Sequence, residues 1–208
     1  MRIGGKKLLA AAALAFATPS NAQDLCEVVF VMDLPGDILS NTHGGSVGLA
    51  LHPADIAPLS GANETGLALT SVVRNGEGEV IGFASELEEF PEGMSGEWLS
   101  WWTVVIPGLG TVIGFETEAI AEAHLTIFEQ VSRGESWSGE VDARIATGPL
   151  PDGNGTIIAG TGAFEGVTGS MSEWTRLTSL EPTGVMTGEL RLVAQIANDD
   201  GGTCDRFG

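Results

Sequence analysis

Asp33 closes an apolar run, Val28-Val-Phe-Val-Met32, and by strand alternation it shares a face with Val29 and Val31. A carboxylate on such a face is costly to bury unless it is paired. Desolvation would raise its pKa and an opposing arginine would lower it, so the position could supply a general acid, a base or a charge stabiliser. The same residue also reads as a strand end beside Pro35-Gly36, its carboxylate accepting turn hydrogen bonds. Two arginines could oppose it: Arg144 in Glu140-Val-Asp-Ala-Arg144, and Arg176 in Glu173-Trp-Thr-Arg176. Arg144 shares its face with Glu140 and Asp142 and reads as solvated. Arg176 shares its face with Trp174, which leaves Asp33 and Arg176 as the candidate catalytic pair.

Five tryptophans, Trp98, Trp101, Trp102, Trp137 and Trp174, offer flat apolar surface with one donor each. That suits a pocket for a hydrophobic or aromatic ligand, with Trp102 and Trp174 as candidate contacts, although core filling is the plainer explanation of the same residues. Trp101 and Trp102 are adjacent, so on a strand they point to opposite faces, and the outward one marks a candidate oligomer contact. The three histidines, His43, His52 and His124, are scattered. No metal site and no cofactor are expected from ligand spacing. There is no Gly-x-Ser-x-Gly elbow, and Gly160-Thr-Gly162 lacks the lysine and helix of a phosphate loop. Asn63-Glu-Thr65 and Asn154-Gly-Thr156 match the glycosylation pattern, which matters only in a eukaryotic secretory pathway.

The elements that must hold these residues are short strands. Arg2, Lys6 and Lys7, the apolar stretch Leu8 to Ala17 and the small residues Ser20-Asn21-Ala22 read as an export signal over residues 1–22, leaving 23–208 as one domain. Export to an extracellular space or periplasm is oxidising, so Cys26 and Cys204, near the two ends of that domain, are expected to be bridged. The alternative is two separately buried thiols. The chain has 28 acidic against 9 basic residues, a formal net charge of −19, and all the acidic residues follow residue 22. Nucleic-acid binding through a basic surface is excluded. No apolar run is long enough to span a bilayer. A hydrophobic content of 43% and a mean hydropathy of +0.18 support a real core despite the charge.

Thirty glycines punctuate the chain. Between them, runs of strand character cover Glu27–Leu34, Ser46–Leu51, Gly66–Arg74, Glu79–Leu87, Trp98–Ile106, Gly110–Glu116, Trp137–Ile145, Gly155–Ala159, Gly169–Leu177 and Gly188–Ile196. Turn signals such as Asn75-Gly76, Pro107-Gly108 and Pro151-Asp152-Gly153 separate them. So many strands in one domain predict an all-β barrel or sandwich. Thr117 to Val131 stands apart: Ile120, Ala123, Ile127, Phe128 and Val131 have helical spacing, while His124 to Val131 can equally be read as alternating strands.

Gly160-Thr-Gly-Ala-Phe-Glu-Gly-Val-Thr-Gly169 resembles the glycine-rich signature of the allene oxide cyclase barrel, and a similar stretch occurs in the related dirigent proteins. Physically, its glycines would permit a tight turn into a strand with Phe164 packed inside. The resemblance implies a closed antiparallel eight-stranded barrel, often trimeric, around a hydrophobic cavity. It also implies that Asp33 faces that cavity and that Phe164 and Phe83 line it. Family members are cofactor-free cyclases or steer the coupling of phenolic radicals. Glu165 and Thr168 stand where dirigent proteins carry arginine, and the chain has no tyrosine, so a dirigent-type activity is disfavoured.

The expectation is therefore a secreted or periplasmic, cofactor-free isomerase or cyclase acting on a small hydrophobic ligand, with a possible homo-oligomeric state of two or three copies. The alternatives are a non-catalytic lipophile-binding barrel and an extracellular interaction protein. At such a net charge, self-repulsion should ease as salt is added.

Overall fold

The computed structural model describes residues 25–40, 66–90 and 96–197. The expected export signal, the Ser46–Leu51 run, His43, His52, Asn63 and Cys204 lie outside the described residues. Cys26 lies on the first strand, paired with Ile196.

Eleven strands and one helix follow in the order β1 (Leu25–Leu34), β2 (Ile38–Ser40), β3 (Gly66–Arg74), β4 (Val80–Glu89), β5 (Trp98–Ile106), β6 (Gly110–Glu118), α1 (Glu122–Ser132), β7 (Trp137–Arg144), β8 (Ala146–Gly148), β9 (Gly155–Gly162), β10 (Thr168–Leu180) and β11 (Met186–Ala197). Eight of them close an antiparallel barrel in the order β1-β11-β10-β9-β6-β5-β4-β3, and β3 returns to β1 at Arg74 and Val31. β2 continues the line of β1 after a turn and also pairs with β3. β10 is long enough to pair with β9 through its first residues and with β7 through Trp174–Leu180.

Strict alternation builds the wall. On β5, Trp98, Ser100, Trp102, Val104 and Ile106 are buried while the residues between them are half-exposed. The interior is filled by side chains, as in other small barrels: Phe30, Met32, Trp102, Val104, Leu192 and Ile196 are each no more than 1% exposed. Where the resemblance implies an apolar hollow, these residues pack against one another.

The segment following β6 is a helix, which resolves the two readings of residues 117–131. β6 runs on through Glu118, and α1 buries His124 and Ile127, with Phe128 and Val131 partly covered. The glycine-rich segment Gly160–Gly169 forms the tight turn between β9 and β10. Gly162 has φ +63°, and a Cβ there would lie 2.3 Å from the Leu109 carbonyl oxygen, so no other residue fits without displacement. Phe164, at the turn, is fully buried. Among the described residues no helix is long and apolar enough to cross a membrane.

Candidate functional site: a cluster of interior glutamates

The catalytic candidates read from sequence stand outside the barrel. β1 turns Val28, Phe30, Met32 and Leu34 inward, so Asp33 faces out with a side chain 56% exposed. Its carboxylate lies 3.4 Å from Arg74. Asp37 is the covered acid of this corner. It accepts Arg74 Nε at 2.7 Å and Nη2 at 2.9 Å, and it accepts the Asp33 backbone N–H at 3.0 Å. The Arg74 guanidinium holds the Asp37 carboxyl below the usual carboxylate range. Arg176 likewise points away from the interior, paired with Glu140 at 3.3 Å and Glu189 at 3.6 Å. Asp33 and Arg176 are therefore not brought together.

The ligand-contact candidates divide. Trp102 and Phe164 are buried. Trp174 is half-buried on the face opposite Glu173, its indole donating to Ser172 Oγ at 3.1 Å. Phe83 is 50% exposed, because the inward positions of β4 belong to Ala84 and Glu86. Arg144 donates to the Asp152 carbonyl and to Asn154 in the turn before β9.

What the barrel does enclose is acid. Glu86 on β4, Glu116 and Glu118 on β6 and Glu173 on β10 are each at most 2% exposed, and Glu88 is half-buried beside them. Strand register assembles the group: Glu86 is opposite Trp102, Ser100 opposite Glu116, and Trp98 opposite Glu118. Gly114, the β6 partner of Trp102, leaves room for the Met171 thioether. A Cβ at Gly114 would lie 1.5 Å from that sulfur.

Neutral donors fix the carboxyls. Ser100 Oγ donates to Glu86 at 2.7 Å, Trp98 Nε1 to Glu118 at 2.8 Å, Trp102 Nε1 to Glu173 at 3.0 Å, and the Glu173 backbone N–H to Glu116 at 3.2 Å. One carboxyl oxygen from each of Glu86, Glu118 and Glu173 lies within 4.8 Å of the others. Glu116 Oε1 and Glu118 Oε1 are buried and receive no hydrogen bond from a hydroxyl, indole or backbone donor; the two side chains meet each other instead.

Burial first, and the mutual repulsion of neighbouring carboxylates second, push Glu86, Glu116 and Glu173 well above the ordinary glutamate range. Burial pushes Glu118 up to about 7 and Glu88 up to about 8. The ion pairs among the described residues engage Arg74, Arg176 and Arg191, each with acids outside this cluster.

Sequence reasoning missed these glutamates because it assigned the apolar face of each strand to the interior. On β4 and β6 the polarity is inverted: Phe83, Leu87, Ile113 and Phe115 point outward while the glutamates point in. A signal was present in Val112, Gly114, Glu116 and Glu118, which share one face with Val112 at its start.

No family model matches the chain, and no curated protein matches it. Among solved structures it is similar to two pterocarpan synthase dirigent proteins. The first is 11% identical, with a TM-score of 0.41, over 83% of this chain and 93% of that one. The second is 8% identical, with a TM-score of 0.44, over 90% of this chain and 96% of that one. Both are dirigent proteins, one of the two families that the Gly160–Gly169 segment resembles.

Proposed function

We propose that the protein is an exported, cofactor-free isomerase or cyclase that confines a small, largely apolar molecule inside the barrel. The observation that carries this reading is the cluster of fixed carboxyls, Glu86, Glu118 and Glu173, set into an otherwise apolar lining of Phe30, Met32, Trp102 and Met171. An apolar enclosure with a few oriented polar groups is the usual composition of a small-molecule site. Confinement selects the reactive conformer, and the carboxyls, whose hold on a proton burial has strengthened, serve as general acids that donate the proton the rearrangement needs and take it back. The interior is filled in this structure, so a ligand would have to enter by displacing side chains, and Met32 and Met171, unbranched and adaptable, are the ones best suited to move. The test is to purify the mature chain from its host under native conditions and release what it carries. A small apolar molecule found by mass spectrometry, and turned over by the wild type but not by Glu173→Gln, supports the enzyme. A molecule bound and left unchanged supports a non-catalytic binding barrel.

The outer face supports self-association. The rows Leu87-Trp101-Phe115, Ser85-Thr103-Ile113 and Phe83-Val105-Thr111 lie side by side across β4, β5 and β6 without a charged residue. Phe83 and Leu87 are 50% and 57% exposed, and Trp101 packs against Phe115 in a tilted pair with ring centroids 5.2 Å apart. An uncharged apolar sheet on so acidic a chain fits burial against another copy. The same face also suits the interaction-protein alternative.

A further inference from the structure

We infer that the interior glutamates form a binding site for a hard divalent cation, calcium in preference to magnesium, with Glu86, Glu118 and Glu173 as the ligating residues and Glu116 as a fourth carboxyl at the site.

Three observations carry the assignment. One oxygen from each of Glu86, Glu118 and Glu173 lies within 4.8 Å of the others. Calcium binds oxygen at about 2.3–2.6 Å, so oxygens on opposite sides of the ion stand about twice that distance apart. Magnesium needs about 2.0–2.1 Å and gives up its water reluctantly, which a closed interior would demand of it. Second, Glu118 Oε1 and Glu116 Oε1 are fully enclosed in residues that are 0% exposed, and they receive no hydrogen bond from a hydroxyl, indole or backbone donor, facing other carboxyls instead. Buried acceptors are normally satisfied, and an ion is one way to satisfy them. Third, each ligating carboxyl is already oriented through one oxygen by a neutral donor, Ser100, Trp98 or Trp102, and on Glu118 the other oxygen has no such donor. Outer donors arranged in this way are what hold metal-binding carboxylates in place.

The donor set is oxygen only, which selects a hard ion over zinc or copper. The ion exchanges for the protons that these carboxyls would otherwise hold, so binding releases protons and strengthens as pH rises. It balances charge in the interior through the same carboxyls that the proposed isomerisation uses, so an occupied site would block turnover, while the ion site itself stands whether or not the barrel acts on a substrate.

The test uses the full mature chain freed of metal with a chelator. Terbium(III) chloride serves as a luminescent substitute for calcium, with Trp98 and Trp102 beside the carboxyls as its sensitisers. The expected result is tryptophan-sensitised emission saturating at one ion per chain, reversed by calcium chloride and only weakly by magnesium chloride. A calcium-dependent rise in melting temperature should accompany it. Glu118→Gln with Glu173→Gln should abolish the emission, while Glu129→Gln with Glu165→Gln, two exposed acids, should leave it unchanged. Ser100→Ala should weaken calcium binding by about tenfold or more. Should the Glu118/Glu173 variant fail to fold, Ser100→Ala together with the stoichiometry from native mass spectrometry decides the matter. Absent emission, several ions per chain, or emission that survives loss of the interior carboxyls would overturn the site. Ligand turnover is a separate readout: a barrel that binds no ion yet transforms its ligand removes only this inference.

Discussion

Raising the pH from 5 to 8 in the presence of a chelator should destabilise this protein, and the interior glutamates set the size of the effect. Glu118 has an ordinary value of 4.5 and is pushed up to about 7 in the folded chain. Its contribution is fully present below about 4.5 and is lost as the pH rises through about 7, because over that window the folded state holds a proton that the unfolded state has released. One retained proton costs about 1.4 kcal/mol of stability per pH unit, so Glu118 alone accounts for about 3 kcal/mol across the window. Sharing of protons within the cluster reduces the part that belongs to any single residue.

Glu118→Gln keeps an acceptor for Trp98 Nε1 and removes the titration. The assay is urea unfolding at pH 5, 6, 7 and 8 with a chelator present. The wild type should lose stability steadily with pH, and the variant should lose about 2–3 kcal/mol less. The surface charge of the chain also favours lower pH, but it is nearly the same in both proteins and cancels in the difference. Parallel profiles for the two proteins, or a wild type more stable at pH 8 than at pH 5, would refute the reasoning.

Other outcomes follow from the same geometry. Asp33→Asn should leave any turnover intact and change stability by less than about 1 kcal/mol, since Asp33 is exposed and its ion pair is a surface one. Asp37→Asn, which breaks a covered two-point contact with Arg74, should cost about 1–3 kcal/mol in urea unfolding. Gly162→Ala should lower stability by more than about 1 kcal/mol, because φ is positive there and the Leu109 carbonyl occupies the space. Trp101→Glu should shift the protein to a smaller species in analytical ultracentrifugation if the β4–β6 face joins copies. Added salt should raise the melting temperature of the wild type as screening relieves repulsion among its acids.

The sequence alone determined the class of fold and most of the wall. Every run read as a strand that falls within the described residues coincides with an observed strand, because alternation and glycine punctuation are local properties that do not depend on what packs across the barrel. The Gly160–Gly169 turn, the burial of Phe164 and the opposed faces of Trp101 and Trp102 were legible for the same reason. Alternation defines two faces, however, and does not say which one turns inward. Closure of eight strands made that choice, placing Asp33 and Phe83 outside and Glu86, Glu116 and Glu118 inside. Glu173 lies 87 positions after Glu86, and only strand register brings their oxygens together. The carboxyl cluster is thus a product of tertiary pairing: its low-dielectric surroundings, its raised pKa values and its affinity for a cation exist only once the barrel has closed around it.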